Sequence, residues 1–342
     1  MDLRPIFFYR MGKRLLLICG FIWVLFSGQT QDIQYSQFYA APLYLNPALV
    51  GTAAQHRANF NYRDQWSAIP GTYVSYSASY DLNLEKSNSG IGFLVSRDQA
   101  GAGGLATTTI GGVYAYNLKV NRNMAFRPAV GINYGMRSVD VSKLKFGDQL
   151  LTGGNTSVGS NVFNDQVGYM DINAGGIFYG NEFYAGYSVY HLNSPNNSLL
   201  GQESIIAARH SVQIGYRLPM RRTVRREIVR SITLAVHYKA QGEWDQFDVG
   251  GYLFVKPMVF GIWYRGIPGL KSYKPGYQNN DAIVLLTGVH FDRFKFAYSY
   301  DITISKIWAN TGGSHELSLI YEYSDPKKGR RRKLNQLACP QF

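Results

Sequence analysis

Between Arg57 and Tyr323 the chain alternates, one residue at a time, between two kinds of side chain. In the stretch 293–304 the even positions are Phe294, Phe296, Tyr298, Tyr300, Ile302 and Ile304, while the odd ones are Arg293, Lys295, Ala297, Ser299, Asp301 and Thr303. Val74, Tyr76, Ala78, Tyr80 and Leu82 alternate in the same way with Tyr73, Ser75, Ser77, Ser79 and Asp81. A helix would scatter each set around its circumference, whereas a strand sends each to one face. About fourteen such segments are readable between 56 and 323, most of them near the roughly 9–11 residues that a tilted membrane strand needs.

The character of the two faces decides the class. A soluble sheet packs its apolar face into a core and exposes charged residues on the other. Here one face is Tyr, Phe, Leu and Val, and the other is Ser, Gly, Asn and Ala. That partition suits lipid outside and a polar lumen inside, with tyrosines at the interfaces. The predicted fold is all-β, a transmembrane antiparallel β-barrel of about fourteen strands, closed because hydrocarbon cannot satisfy an open sheet edge. An even strand number returns the chain to its starting side. Counted from a periplasmic start, the connections at 83–88, 119–121, 180–181, 219–227, near 256 and near 292 face the periplasm, and all but 219–227 are short. Those at 65–71, 99–104, 139–167, 193–205, 241–243, 267–280 and 305–312 face outwards and include the three longest, the asymmetry that such barrels show. Composition strengthens the reading: only 17% of the 342 residues are charged, against roughly 25% in soluble domains, and 15% are aromatic.

The chain opens on Arg4, Arg10, Lys13 and Arg14, then an uncharged run from Leu15 to Phe26, then small and polar residues. This is the pattern of a secretory signal peptide, expected over residues 1–30 with Met11 as a possible start, and its apolar run is too short to span a bilayer. Cys19 lies inside that run behind Ile18, which argues against lipidation. With Cys339 it makes too few cysteines for a disulfide framework. Residues 31–55 follow as an N-terminal segment, 56–323 as the barrel, and 324–342 as a tail.

Little in the chain points to catalysis, and the expectation is a protein that is not an enzyme and carries no cofactor. No histidine sits in a metal-binding spacing, and no phosphate-binding glycine loop occurs. His210-Ser211 and Ser314-His315 are sequence neighbours, hence on opposite faces of a strand. His290 and Asp292 fall at a periplasmic turn. The formal net charge of +13 is not read as nucleic-acid binding in an exported barrel. Its distribution is more telling. Lys327, Lys328, Arg330, Arg331, Arg332 and Lys333 follow the last strand, and Arg221, Arg222, Arg225 and Arg226 occupy the one long periplasmic turn. Both clusters are candidates for contact with anionic headgroups of outer-membrane lipid or for docking an acidic periplasmic partner. By parity Arg57, Arg63, Arg127, Arg137, Lys239 and Asp301 line the lumen, either as ion pairs holding a plug or as a filter for anionic solutes.

Three stretches carry a resemblance to a known family. Residues 31–39 read Gln-Asp-Ile-Gln-Tyr-Ser-Gln-Phe-Tyr, and Asn46-Pro47-Ala48 follows shortly after. Then come Tyr62, Arg63, Gln65 and Trp66 in a Y-R-x-Q-W pattern, and near the end Tyr300-Asp301 and Gly313-Ser314-His315-Glu316 before the basic tail. Together these resemble the PorP/SprF family, over about 31–323. The resemblance implies an outer-membrane barrel of the type IX secretion and gliding apparatus. Its implied partners are secreted proteins with type IX C-terminal targeting domains and periplasmic components of the machinery. Asn46-Pro47-Ala48 is also similar to the N-terminal region of fatty-acid-type channels, which packs inside the barrel. That likeness implies a lumenal plug over 31–55 and an alternative function, passive transport of small hydrophobic or anionic solutes.

Overall fold

The computed structural model describes residues 32–53, 55–71, 73–101, 104–152, 164–223, 228–274, 277–305 and 311–324. The proposed signal peptide, Arg225, Arg226 and the basic residues of the tail lie outside the described residues.

Fourteen antiparallel strands form one sheet, each paired with the next in sequence. They are β1 (His56–Gln65), β2 (Tyr73–Leu84), β3 (Ser89–Ala100) and β4 (Leu105–Tyr116), the last resuming at Leu118–Lys119 after Asn117. Next come β5 (Ala125–Ser138), β6 (Gln166–Tyr179), β7 (Phe183–Tyr190), β8 (Arg209–Arg222) and β9 (Ile228–Gln241). The circuit ends with β10 (Trp244–Val255), β11 (Met258–Lys274), β12 (Tyr277–Phe291), β13 (Phe294–Thr303) and β14 (Ser314–Tyr323). β1 pairs with β14 from His56↔Tyr323 to Gln65↔Ser314, so the sheet closes on itself and every strand has two neighbours. Asn117 interrupts β4 without opening it: its amide donates to the Asn88 carbonyl at 2.8 Å and its side chain accepts from the Tyr179 hydroxyl at 2.7 Å.

The period-two pattern maps onto the wall as read. Phe60, Tyr76, Phe93, Ile132, Leu234 and Ile262 all point outwards and are exposed, while Asn59, Asp81, Ser299 and Glu316 point inwards and are 0% exposed. A water-soluble protein would invert that distribution. At the ends of the strands three outward histidines hydrogen-bond outward tyrosines: His56 to Tyr80 (2.8 Å), His210 to Tyr187 (2.7 Å) and His315 to Tyr298 (2.8 Å). These amphipathic pairs sit where interfacial girdles are found.

Two expectations about connections are corrected. The segment 219–227 is shorter than a long turn, because β8 runs on to Arg222 and pairs there with Ile228 and Arg230 of β9. Arg221 and Arg222 are therefore strand-end residues, and Arg222 makes an ion pair with Glu182 at 3.4 Å. The outer segment 267–280 is not a loop. β11 and β12 continue through it as a two-stranded ribbon beyond Asp248↔Arg265, where β10 stops pairing. Its Pro and Gly content reads as loop, but the ladder survives through irregular registers between Ile267 and Lys274.

The lipid-facing assignment makes a prediction at the barrel's equator. Ile132→Arg, near the middle of β5, should lower stability in lipid vesicles by about 2–4 kcal/mol. Leu150→Arg, in the outer loop, should change it by less than about 0.5 kcal/mol. Urea unfolding of the refolded barrels measures both; equal costs would contradict the assignment.

Candidate functional site

Residues 33–53 lie against the inward faces of the strands and make no sheet of their own. Two 3-10 turns, Phe38–Ala40 and Pro47–Leu49, flank one helical turn, Pro42–Leu45. Such a segment brings backbone groups into a closed space, where each needs a partner. Three sets of wall residues supply them.

The first set surrounds Ser36 and Gln37. The Glu316 carboxylate accepts the Ser36 amide at 2.7 Å and the Gln37 amide at 3.1 Å. The Ser36 hydroxyl donates to Asp301 at 2.6 Å and accepts from Arg63 and from Arg265, both at 2.9 Å. Arg63 bridges Asp301 (2.8 Å) and Glu316 (3.1 Å), and Arg265 bridges Asp248 (2.8 Å) and Asp301 (3.0 Å). The Gln37 side chain donates to Ser299 at 3.2 Å and to the Glu316 carbonyl at 2.9 Å, and it also bonds Ser318. Two guanidiniums and two carboxylates from β1, β11, β13 and β14 thus converge on one serine, with Asp248 of β10 behind Arg265. Charge-assisted hydrogen bonds of this kind are roughly twice as strong as neutral ones.

The second set holds Asn46. Its side-chain oxygen accepts the Ala48 amide at 2.8 Å, capping the turn that Pro47 begins. Asparagine at the cap and proline at the first position are the residues that such a start favours. The other end of the amide donates to Gln213 at 3.0 Å, while Gln213 and Ser188 both donate to the Leu45 carbonyl at 3.1 Å. Tyr190 donates to the Leu43 carbonyl at 2.6 Å. Arg209 packs on both the Tyr44 and Tyr190 rings, 4.6 and 4.2 Å from their centroids, and donates to the Tyr44 hydroxyl at 2.8 Å. Gly175 forms the floor, since a Cβ there would collide with the Asn46 side chain and stand 3.0 Å from Pro47.

The third set receives the end of the segment. Asp81 accepts the Gly51 amide at 2.6 Å and pairs with Arg57 at 2.7 Å, and Arg57 donates to the Leu49 carbonyl at 2.9 Å. Arg127, 1% exposed, lies over Gly90 beside Val50. A Cβ on Gly90 would meet Arg127 and come within 2.5 Å of the Val50 carbonyl.

Apolar contacts fill the space between these anchors. Leu43, Ala48, Leu49 and Val50 pack with Val113, Ala129, Ile177 and Tyr184, and Tyr39 and Ala40 with Tyr252, Trp263, Leu286 and Ile320. Burial pushes the hydroxyls of Tyr35 and Tyr39 above the usual tyrosine range, so both remain neutral. A cavity of about 30 Å³ lies beside Tyr35, Tyr44, Arg209, His237 and Lys239, room for about one water.

The residues read from sequence fall into distinct places. Arg57, Arg63 and Asp301 are in the clamps, and Arg127 covers the exit of the segment. Arg137 faces inwards near the outer rim and donates to Asn197 of the loop 191–208 at 2.9 Å. Within the Y-R-x-Q-W pattern, Tyr62 faces outwards against Tyr76 (5.2 Å between rings), and Arg63 and Gln65 face inwards. Trp66 turns the chain at φ +61°, donating its amide to the Gly313 carbonyl at 2.9 Å. Ser211 and Ser314 point inwards, away from His210 and His315, so neither pair has nucleophile–base geometry. Among the described residues no group of three His, Cys, Asp or Glu side chains is placed to hold a metal ion. Arg265, Asp248, Glu316, Asp81 and Gln213 escaped the sequence reading as clamp residues. Each sits alone on an inward position, and only the closed register brings it to its partner.

Comparison with known proteins yields one family and a set of barrels. The model of the family described as type IX secretion system membrane protein PorP/SprF matches residues 27–321. A search of curated protein sequences finds no match. The chain is similar in structure to the Acinetobacter baumannii outer membrane protein Omp33 (8% identity, TM-score 0.45, covering 80% of this chain and 100% of that one). It is also similar to the Ralstonia pickettii toluene transporter TbuX (12%, 0.47, 82% and 92%) and the P. putida toluene transporter TodX (10%, 0.44, 82% and 93%).

Removing one partner from a buried charge network costs more than the network contributes as a whole, because a bare charge remains. Arg63→Met should therefore destabilise the barrel by about 3–5 kcal/mol, and Ser36→Ala by about 1.5–3 kcal/mol. The double variant should show a coupling of about 0.5–3 kcal/mol. Urea unfolding with limited proteolysis of 33–53 reads all three; strict additivity would show that Ser36 does not belong to the network.

Proposed function

Because the chain belongs to the PorP/SprF family of type IX secretion system membrane proteins, we propose that it is a closed docking barrel of the outer membrane, which binds exported proteins through their C-terminal targeting domains and helps deliver and tether them at the surface. The observation that carries this reading is the filled lumen. Ser36, Gln37, Ala40, Leu43, Asn46, Ala48 and Val50 are each no more than 1% exposed, so the segment is packed as tightly as a protein core. The inward cations Arg57, Arg63 and Arg265 are engaged with carboxylates. They hold the segment and do not face a passing solute. A barrel so occupied suits recognition at its rims better than conduction.

The rims supply surfaces of different character. Outside, the ribbon of β11 and β12 stands above the wall, and Arg137 ties down the loop 191–208. At the periplasmic end stand Arg221 and Arg222, and the basic tail follows β14 in sequence. This is the end at which an acidic component of the machinery would dock.

Crosslinking in cells, with identification of attached proteins, tests the proposal. The full chain should capture exported proteins bearing targeting domains together with periplasmic machinery. Deleting 325–342 should leave barrel insertion intact and abolish capture of the periplasmic components; if they are still captured, the docking role of the tail is wrong. In planar bilayers the full chain should be nearly silent, and deleting 33–53 should open a steady conductance. Steady conductance of the intact protein that changes on mutating Arg127 or Arg137 would instead favour passive transport of small hydrophobic or anionic solutes.

A further inference from the structure

The outer surface of a closed barrel is convex, so a hollow in it needs short side chains, or a recessed wall, among long ones. Such a hollow, of about 860 Å³, lies on the lipid-facing side across the β1–β14 closure. Its lining follows one register row: Ala78, Phe60, Leu319, Phe296, Val289 and Met258 are successive cross-strand partners on β2, β1, β14, β13, β12 and β11. All six are apolar. The row spans roughly 24 Å, five strand spacings of about 4.8 Å, from the middle of β2 to the first residue of β11 at its periplasmic turn.

The inward row beside it explains the hollow. Ser77, Asn61, Ser318, Ala297 and Gly288 are successive partners there, and all but Asn61 are small. Asn61 donates to the Ala40 carbonyl at 2.9 Å, and Ser318 bonds Gln37. The wall therefore closes directly onto the lumenal segment, and its outer face is recessed at the same place.

One end of the recess has a different character. Arg97 on β3 is exposed, pairs in register with Tyr76, and heads the row that continues through Tyr62 to Tyr298. Tyrosines at this level mark the headgroup interface. The Arg97 guanidinium donates to Thr108 at 3.1 Å through one nitrogen. The recess thus has a cation at interface depth and a bare apolar floor running away from it towards the opposite interface.

We propose that this recess is a specific site for one phosphate-bearing lipid of the outer leaflet, its phosphate on Arg97 and an acyl chain along the row from Ala78 towards Met258. Charge and depth select that occupant. A membrane-spanning protein would need small or hydrogen-bonding residues along its whole contact, whereas beyond Ala78 the outward row presents only the large apolar side chains of Phe60, Leu319, Phe296, Val289 and Met258. An amphiphile needs one polar contact at one end, which is the arrangement present.

The test uses the full chain in detergent and native mass spectrometry. Wild-type protein should retain one phosphorylated lipid. After delipidation it should bind bisphosphorylated lipid A roughly tenfold more tightly than the dephosphorylated form, the size of effect for one charged hydrogen bond. Arg97→Gln should erase that preference. Ala78→Trp, which fills the recess from outside, should remove the bound lipid while the barrel stays folded by heat-modifiable gel mobility. Equal binding of the two lipid A forms, or unchanged lipid retention in both variants, would overturn the proposal. A photoreactive amino acid in place of Ala78 should yield a lipid adduct in cells. A protein adduct there would assign the recess to a membrane-protein partner and defeat the lipid site.

Discussion

A polypeptide inside a membrane has no water to which it can leave an amide or carbonyl, and this chain meets that constraint twice. The strands meet it by closure: β1 pairs with β2 and β14, so the sheet has no edge strand. The segment 33–53 has no sheet partner, and side chains of the wall take the place of one. Glu316 receives two successive amides, Asp81 a third, and Tyr190, Gln213 and Arg57 donate to carbonyls. The polar inner face is therefore the second half of a hydrogen-bonding scheme whose first half is the N-terminal segment.

Apolar and charged contacts divide the work of holding that segment. Burying Leu43, Leu49 and Val50 contributes about 1.5–3 kcal/mol each, without fixing where along the lumen they rest. Desolvating Arg63, Arg265 and their carboxylates costs several kcal/mol per ion, which their mutual attraction largely offsets. The network's net contribution to stability is thus modest. Its geometric demand is strict, because a serine hydroxyl must stand within 2.9 Å of three charged groups at once. Displacement by one residue would put Tyr35 or Gln37 there and strand the charges. Hydrophobic burial holds the segment, and the ions set its register.

The period-two rhythm made most of the barrel legible, since a strand with lipid on one side and a packed lumen on the other must declare both faces in its sequence. Where composition misled, the reason is local. Pro268 and Gly269 suggested a loop, yet β11 carries them in a ribbon that stays paired with β12. At Arg221 and Arg222 a run of cations suggested a turn, but a strand end beyond the hydrocarbon carries charge without penalty. Parity placed Arg57, Arg63 and Asp301 in the lumen because it is a property of one strand. It could not show that Ser36 reaches Asp301, 265 residues away, because that contact depends on closure of the whole circuit. Asn46-Pro47-Ala48 was readable by resemblance, whereas Gly175 beneath it was one glycine among many.

The same parity that reveals the faces also couples them. Asn61, Ser318 and Ala297 alternate with Phe60, Leu317 and Tyr298, so any inward movement of the wall at the first set recesses the outer surface at the second. The small inward residues leave room for the lumenal segment to approach, and Gln37 and Ala40 bond the wall there. Without the segment, Asn61 and Ser318 would lose these partners. The wall over β11–β14 and β1–β2 therefore serves two surroundings at once: its inward row bonds the lumenal segment, and its outward row, one residue away along each strand, faces lipid.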